Sequence, residues 1–233
     1  MDFLEGQTLL FNKPKSWTSF DLVKKIRNTV KIKKVGHAGT LDPLATGLLI
    51  ICTGKHTKRI NTIQDLEKEY LVTFKLGAVT ASFDMEEKET DIKDASQLTQ
   101  IDLETAMAQF EGELEQIPPA FSAVKVNGKR AYESARKGKK IILPPRAVSV
   151  YEFSLQEFSS TDEVIALVRC SKGTYIRSLI HDLGQALSVG AYIRELCRTR
   201  IGDYMLEDAW EITEFVDKYR ISSSTHGDTN IHM

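Results

Sequence analysis

The sequence predicts an α+β fold, and three observations carry this prediction. Residues 47–54, GLLIICTG, form a continuous apolar run between glycines, which is typical of a strand buried on both faces. From Tyr70 to Leu76, apolar side chains occupy every second position, which indicates a strand with one buried face. Between Thr18 and Val30, apolar side chains recur at helical spacing and leave the basic residues on the opposite face. Strands and helices are therefore both expected.

The other elements follow from local signals. Residues 8–11, TLLF, indicate a short strand that ends at Lys13–Pro14, because proline restricts the residue before it and has no N–H to donate to a sheet. Thr18 followed by Asp21 has the spacing of a capping box and predicts the start of the first helix. The spacing of apolar residues predicts further helices over 57–66, 102–110 and 175–187, further strands over 147–158 and 163–170, and a loop over 33–47.

Charge is unevenly distributed along a chain whose net charge is only −1. Basic blocks cover 24–34 and 125–146, and an acidic stretch runs from 84 to 115. This separation is compatible with a basic, nucleic-acid-binding groove, although charged residues on solvated faces are the ordinary alternative. Charge alone therefore leaves both interpretations open.

Other features exclude several classes of protein. The acidic N-terminus does not resemble a signal peptide, and no apolar run approaches the length of a membrane span, so we expect a cytoplasmic protein. Cys52, Cys170 and Cys197 are widely spaced and lack a zinc-binding pattern. We therefore expect free thiols and neither a disulfide framework nor a structural metal.

The segment GHAGTLDPLATG at 36–47 contains one carboxylate, Asp42, directly before the buried strand. Pro43 favours an extended conformation at Asp42, and the flanking glycines allow another backbone to approach closely. A loop of this kind can present a charge rigidly to a ligand. A plain turn with a surface aspartate explains the same residues equally well.

The stretch KVGHAGTLDPLATGLLIICTGKHTK at 34–58 resembles the signature of the tRNA pseudouridine-55 synthase family, TruB. The likeness continues in LLFNKPKSWTS at 9–19, EKEYLVTFKLG at 67–77, QIPPAFSAVKVNGKRAYESARKG at 116–138 and CSKGTYIRSLIHDLG at 170–184. It implies a pseudouridine synthase fold, with a mixed, largely antiparallel central sheet, flanking helices and a basic catalytic cleft. It also implies isomerisation of uridine 55 in the T-loop of tRNA, without a cofactor or metal. We expect the enzyme to be a monomer that binds the T-stem and T-loop.

The resemblance assigns roles to individual residues. Asp42 matches the nucleophile, which attacks either the sugar C1′ or the uracil C6. Arg177 matches the arginine that pairs with it, and Tyr70 matches the tyrosine that stacks on the uracil and helps to remove its C5 proton. Tyr175 and Leu196 match residues that line the uracil pocket. Ordinary packing or a surface position is the alternative for each of these residues.

RNA-contacting residues are implied in the same way. His37 matches a histidine that enters the tRNA loop vacated by flipped bases. The expected contacts to the RNA backbone are Lys13, Lys125, Lys129, Arg130, Arg136 and Lys137. The last five belong to the segment 117–146, which is expected to fold over the T-loop and to bind with little sequence preference.

The chain also departs from the family pattern. Ala81 stands where members often carry a second acid, so no role is carried over for that position. We expect a catalytic domain over 1–215 and a short frayed tail over 216–233, without the C-terminal PUA module that many members have. Two other functions stay open: an RNA-binding module that helps tRNA to fold, with incidental catalysis, and a guide-dependent synthase that acts on ribosomal RNA.

Overall fold

The computed structural model describes residues 1–122, 125–126, 129–131 and 143–220, with only the backbone described at 125, 126, 129 and 130. The strands are β1 (Thr8–Lys13), β2 (Val35–Ala38), β3 (Thr46–Thr53), β4 (Lys68–Leu76), β5 (Val79–Thr80), β6 (Glu89–Thr90), β7 (Gly112–Gln116), β8 (Lys125–Val126), β9 (Lys129–Arg130), β10 (Arg146–Ser160), β11 (Glu163–Cys170), β12 (Ala191–Ile201) and β13 (Tyr204–Met205). The helices are α1 (Ser19–Val30), α2 (Ile60–Asp65), α3 (Gln100–Ala108), α4 (Ile176–Ala186) and α5 (Ile212–Tyr219), with 3-10 turns at Gly54–Arg59 and Leu206–Asp208.

Nine of these strands form one sheet in the order β1-β3-β12-β4-β11-β10-β7, with β2 added to β3 and β13 to β12. Its pairs are antiparallel except for β12 and β3, which run parallel. The predicted mixed, largely antiparallel sheet is therefore confirmed. The parallel pair places Gly47, near the start of β3, opposite Arg198 in β12, so the loop before β3 ends beside that arginine.

Helix α1 begins as its sequence predicts. The Thr18 hydroxyl accepts from the backbone N–H of Asp21, and the Asp21 carboxylate accepts from the backbone N–H of Thr18, which completes the capping box. Leu22, Val23 and Ile26 form the buried face of the helix. Burying these three side chains contributes roughly 1.5 to 3 kcal/mol each.

The predicted strand periodicities are also confirmed. In β4, Tyr70, Val72 and Phe74 are buried and the residues between them are less so. In β3, seven of the eight residues are buried, as expected for a strand covered on both faces. This strand separates the main core from a smaller apolar cluster that includes Ile50 and Ile63.

Two sequence predictions need correction. The loop expected over 33–47 contains β2, which pairs with β3 along its length. The chain is not frayed from 216: α5 continues to Tyr219, and Phe215 and Val216 are buried against an aromatic cluster that includes Phe11. The tail from 221 onward lies outside the described residues. No helix in the described ranges is long and apolar enough to span a membrane.

Candidate active site

A cavity of about 630 Å³ opens where the loop before β3 meets β4, β12 and the start of α4. Its lining includes Asp42, Lys68, Tyr70, Tyr175, Arg177, Leu196 and Arg198. The five residues predicted for the catalytic centre and the uracil pocket thus converge on one cavity, although they come from four separate parts of the chain.

Arg177 forms the centre of an ion-pair network beside this cavity. Its Nη2 lies 2.8 Å from Oδ2 of Asp42, and its Nη1 lies 3.6 Å from Oδ2 of Asp84. The guanidinium also donates to the carbonyl oxygens of Ser82, at 3.1 Å, and Phe121, at 3.0 Å. The Arg177 side chain is 5% exposed, whereas that of Asp42 is 40% exposed. Asp42 is therefore held from the protein side and presents its carboxylate to the open side.

The loop that carries Asp42 is fixed by side chains beneath it. The hydroxyl of Ser19, in α1, accepts from the N–H of Leu41 at 2.9 Å and donates to its carbonyl at 3.2 Å. The ammonium of Lys13 donates to the carbonyls of Pro14, Trp17 and Pro43. These contacts hold the residues on either side of Asp42, which limits the freedom of its carboxylate.

Asp84 was not identified as a site residue from the sequence, because it lies at the start of the acidic stretch 84–115. The structure buries it in a turn in which Ser82 Oγ donates to its Oδ1 at 2.6 Å and the N–H of Glu86 donates to the same oxygen at 2.9 Å. Phe83 stacks on His181 of α4, with ring centroids 3.8 Å apart. The spacing of Ser82 and Asp84 in a short turn was the available signal, because such residues bond their own backbone.

The aromatic residues of the cavity are firmly positioned. Tyr70 is buried in β4, and desolvation raises the pKa of its hydroxyl. Tyr175 caps α4, where the Gln116 side chain holds its backbone by two hydrogen bonds, of 2.7 and 3.0 Å. Burial also raises the pKa of the Tyr175 hydroxyl. Leu196 adds an apolar side chain between these rings and the Asp42 pair.

Two further cations in the cavity wall were missed. Arg198, in β12, is 1% exposed and donates to the carbonyls of Leu48 and Gly39. Lys68, in β4, donates to the carbonyls of Gln64 and Leu66, and burial lowers its pKa to about 8. Both would be expected on the same sheet face as Tyr70 once the pairing of β4 with β12 is known.

The residues predicted to contact RNA have different outcomes. The role expected for Lys13 is wrong for this structure, because its side chain is fully buried under the Asp42 loop and cannot meet a phosphate. Burial lowers the pKa of Lys13 to about 8. His37 lies in β2, outside the cavity lining, and burial lowers its pKa. Lys125, Lys129 and Arg130 fall in β8 and β9, and Arg136 and Lys137 lie outside the described residues.

The cysteines and the possible metal ligands can be located within the described ranges. Cys52, Cys170 and Cys197 are free thiols. Within the same ranges, no three His, Cys, Asp or Glu side chains come together as a metal site.

The fold and the cavity together define the class of protein, an RNA pseudouridine synthase. The crystal structure of a Cbf5–Nop10–Gar1 complex aligns with a TM-score of 0.72 and 30% identity over 93% of this chain, which spans about half (55%) of that neighbour's chain. The sequence model described as TruB family pseudouridylate synthase (N terminal domain) matches residues 27–176, and that of the tRNA pseudouridylate synthase B C-terminal domain matches residues 177–231. This chain belongs to the TruB family.

Curated relatives agree with this assignment. The tRNA pseudouridine synthase B of Phocaeicola vulgatus is 50% identical over 221 residues, which cover 92% of this chain and 94% of that protein. The protein of the same name from Bacteroides fragilis is 47% identical over 233 residues, which cover 96% and 100%. The similarity therefore extends over nearly the full length of both relatives.

Proposed function

We propose that this enzyme isomerises uridine to pseudouridine at position 55 in the T-loop of tRNA, with Asp42 as the nucleophile. The observation that carries the proposal is the Asp42–Arg177 ion pair at the edge of a cavity that also holds Tyr70. A carboxylate whose cation lies behind it stays charged and oriented while its front remains accessible. The tRNA substrate is supported by the names of the curated relatives.

In the proposed reaction, Asp42 attacks either C1′ of the ribose or C6 of the uracil, and the bond between C1′ and N1 breaks. The detached base turns within the cavity and its C5 bonds to C1′. The bond to Asp42 then breaks, either at C1′ as C5 displaces the carboxylate or at C6 as the C5–C6 double bond re-forms. The C5–H bond then breaks towards Tyr70, and N1 takes up a proton. Reactant and product have the same atoms and oxidation state, so we propose that a carboxylate suffices and that neither cofactor nor metal takes part.

The cavity is suited to a flipped nucleotide. Its wall combines tyrosine rings and Leu196, which can offset the few kcal/mol that unstacking a base costs. Its rim includes the exposed side chains of Arg146 and Lys172, which can contact phosphates.

The test is release of tritium from tRNA labelled at uridine C5. We expect release from wild-type enzyme on tRNA, and none on a tRNA in which uridine 55 is replaced by cytidine. Asp42→Asn should lower the rate by more than about 10³-fold, while Lys172→Gln, a rim variant, should weaken tRNA binding and leave the rate at saturation intact. Release from the cytidine-55 tRNA would refute the position, and full activity of Asp42→Asn would refute the nucleophile.

Two alternatives predict different outcomes. An RNA-folding module with incidental catalysis would keep its function in Asp42→Asn. A guide-dependent synthase, which the likeness to the Cbf5 complex brings into consideration, would release tritium only when a guide RNA is added. The near-complete coverage of both curated relatives, against about half of the Cbf5 chain, favours the stand-alone enzyme.

A further inference from the structure

Arg198 lies in the cavity wall, yet the chemistry proposed above gives it no part. It stands directly opposite Tyr70 in the register of β12 with β4, so the two side chains share one face of the sheet. Leu196 precedes it by two residues and lines the same cavity. The position of Arg198 in the sheet therefore brings a guanidinium beside the hydroxyl-bearing ring.

The sheet is irregular on both sides of this arginine. The register of β12 against β4 shifts between Ile193 and Glu195, and again between Arg198 and Arg200. Such bulges re-aim side chains and are frequent beside active sites. The short segment that carries Leu196 and Arg198 is thus framed by two bends, which is consistent with a need to direct these two side chains.

The hydrogen bonds of Arg198 explain its geometry but not its charge. Its Nε donates to the carbonyl of Leu48 at 2.8 Å and its Nη2 to that of Gly39 at 3.2 Å, so it ties together the two ends of the Asp42 loop. Among the described carboxylates, none forms an ion pair with it. A desolvated guanidinium without a counter-ion is costly, and neutral donors could bond two carbonyls at lower cost. The positive charge therefore needs a separate explanation.

We propose that Arg198 is a positioning residue that orients the Tyr70 oxygen and stabilises the phenolate that accepts the C5 proton. Tyr70 first releases its hydroxyl proton to solvent. In the step itself the C5–H bond breaks and its electron pair re-forms the C5–C6 double bond, while the N1–C6 electrons return to N1 or the Asp42–C6 bond breaks, and the proton passes to the phenolate oxygen. This inference rests on the proposed function. Burial raises the pKa of Tyr70, and Arg198 opposes that rise through its charge and a polar contact with the tyrosine.

The experiment measures single-turnover rates on tRNA that carries either hydrogen or deuterium at C5 of the target uridine. Arg198→Met, which keeps an unbranched side chain without the guanidinium, should lower the rate by about 10²-fold, and Arg198→Lys should lower it less. In both variants the deuterium isotope effect should exceed that of the wild type, because removal of the C5 proton becomes slower. Arg200→Met is the matched control: Arg200 lies on the same strand but pairs with Glu67 and is absent from the cavity lining.

A second arm tests the charge directly. A fluorinated tyrosine at position 70, with a more acidic phenol, should restore part of the rate of Arg198→Lys. Circular dichroism reports whether each variant folds.

An unchanged isotope effect in variants that fold, or no restoration by fluorotyrosine, would overturn the proposal in favour of a tether only. If neither variant folds, the proposal is overturned equally, because the guanidinium would then be required to hold the Asp42 loop in the folded protein. Absence of tritium release from the wild type would instead refute the proposed function itself.

Discussion

Gly47→Ala should destabilise the protein far more than an otherwise equivalent substitution at Gly112. Both glycines have left-handed backbone conformations, with φ of 96° and 98°. An alanine Cβ at Gly47 would lie 2.4 Å from the carbonyl oxygen of Arg198 and 2.8 Å from its nitrogen, whereas at Gly112 no atom lies within 4 Å. The backbone conformation costs about 1 to 2 kcal/mol in each variant. Overpacking against the β12 backbone adds about 1 to 3 kcal/mol in Gly47→Ala alone.

The comparison isolates the close approach of two strands, because both substitutions reduce the entropy of the unfolded chain by a similar amount. We expect urea denaturation followed by circular dichroism to show a loss of about 2 to 5 kcal/mol for Gly47→Ala and about 1 to 2 kcal/mol for Gly112→Ala. The Gly47→Ala protein that does fold should also release tritium from tRNA more slowly than the wild type, since β3 and the Asp42 loop must move away from β12. Equal losses in the two variants would show that the loop yields freely and would refute this reasoning.

Three further outcomes follow from individual charged side chains. Lys13→Met should cost about 1 to 3 kcal/mol in urea denaturation, since it removes the buried ammonium that donates to three carbonyls, including that of Pro43; an unchanged midpoint would contradict this. Burial raises the pKa of Asp182 to about 6, so the unfolded chain ionises first and stability falls as the pH rises from about 4 to 6. Asp182→Asn should therefore stabilise by roughly 1 to 2 kcal/mol at pH 7, allowing for partial exposure, and should have no effect at pH 4. Arg177→Lys should lower tritium release at saturating tRNA more than it changes tRNA affinity, because one ammonium cannot hold Asp42 and the Ser82 and Phe121 carbonyls together.

Regular periodicity was readable from the sequence, and bulged or locally bonded segments were not. β4 and α1 follow simple patterns of burial and could be predicted. The start of α1 could also be predicted from its capping residue, Thr18. β12 was missed because two register shifts interrupt its alternation, so Leu196 was assigned to the pocket only through the family resemblance. The second half of α5 was assigned to a frayed tail because the polar residues after it mask a short apolar face.

The residues of the site could not be predicted from composition and periodicity alone. Asp42 and Arg177 are far apart in the chain, and only the resemblance suggested that they pair. Asp84 was grouped with solvated acids because its burial depends on a turn that no periodicity describes. Lys13 was placed among the RNA-contacting residues by the family resemblance, which does not show whether a side chain is buried.

The charges around the cavity do not balance within the described residues. The cavity, its rim and the turns behind it hold three carboxylates and six cations, namely Asp42, Asp65, Asp84, Lys13, Lys68, Arg146, Lys172, Arg177 and Arg198. Burial lowers the pKa of Lys13 and of Lys68 to about 8. A substrate that brings its own negative charge would relieve this excess, and a nucleotide brings a phosphate on each side of the base.

We therefore expect the phosphates that flank the target uridine to contribute more to binding than others in the same RNA. Neutral methylphosphonates at these two positions of a T-stem-loop should weaken binding and reduce the slope of log Kd against log salt by about 1 for each lost contact. The same replacement in the distal stem should leave affinity and slope nearly unchanged. Fluorescence anisotropy at several salt concentrations measures both. If methylphosphonates beside the target uridine and in the distal stem weaken binding equally, the excess positive charge does not bind these phosphates. Lys13 and Lys68 would then contribute only to the folded structure, through their hydrogen bonds to backbone carbonyls.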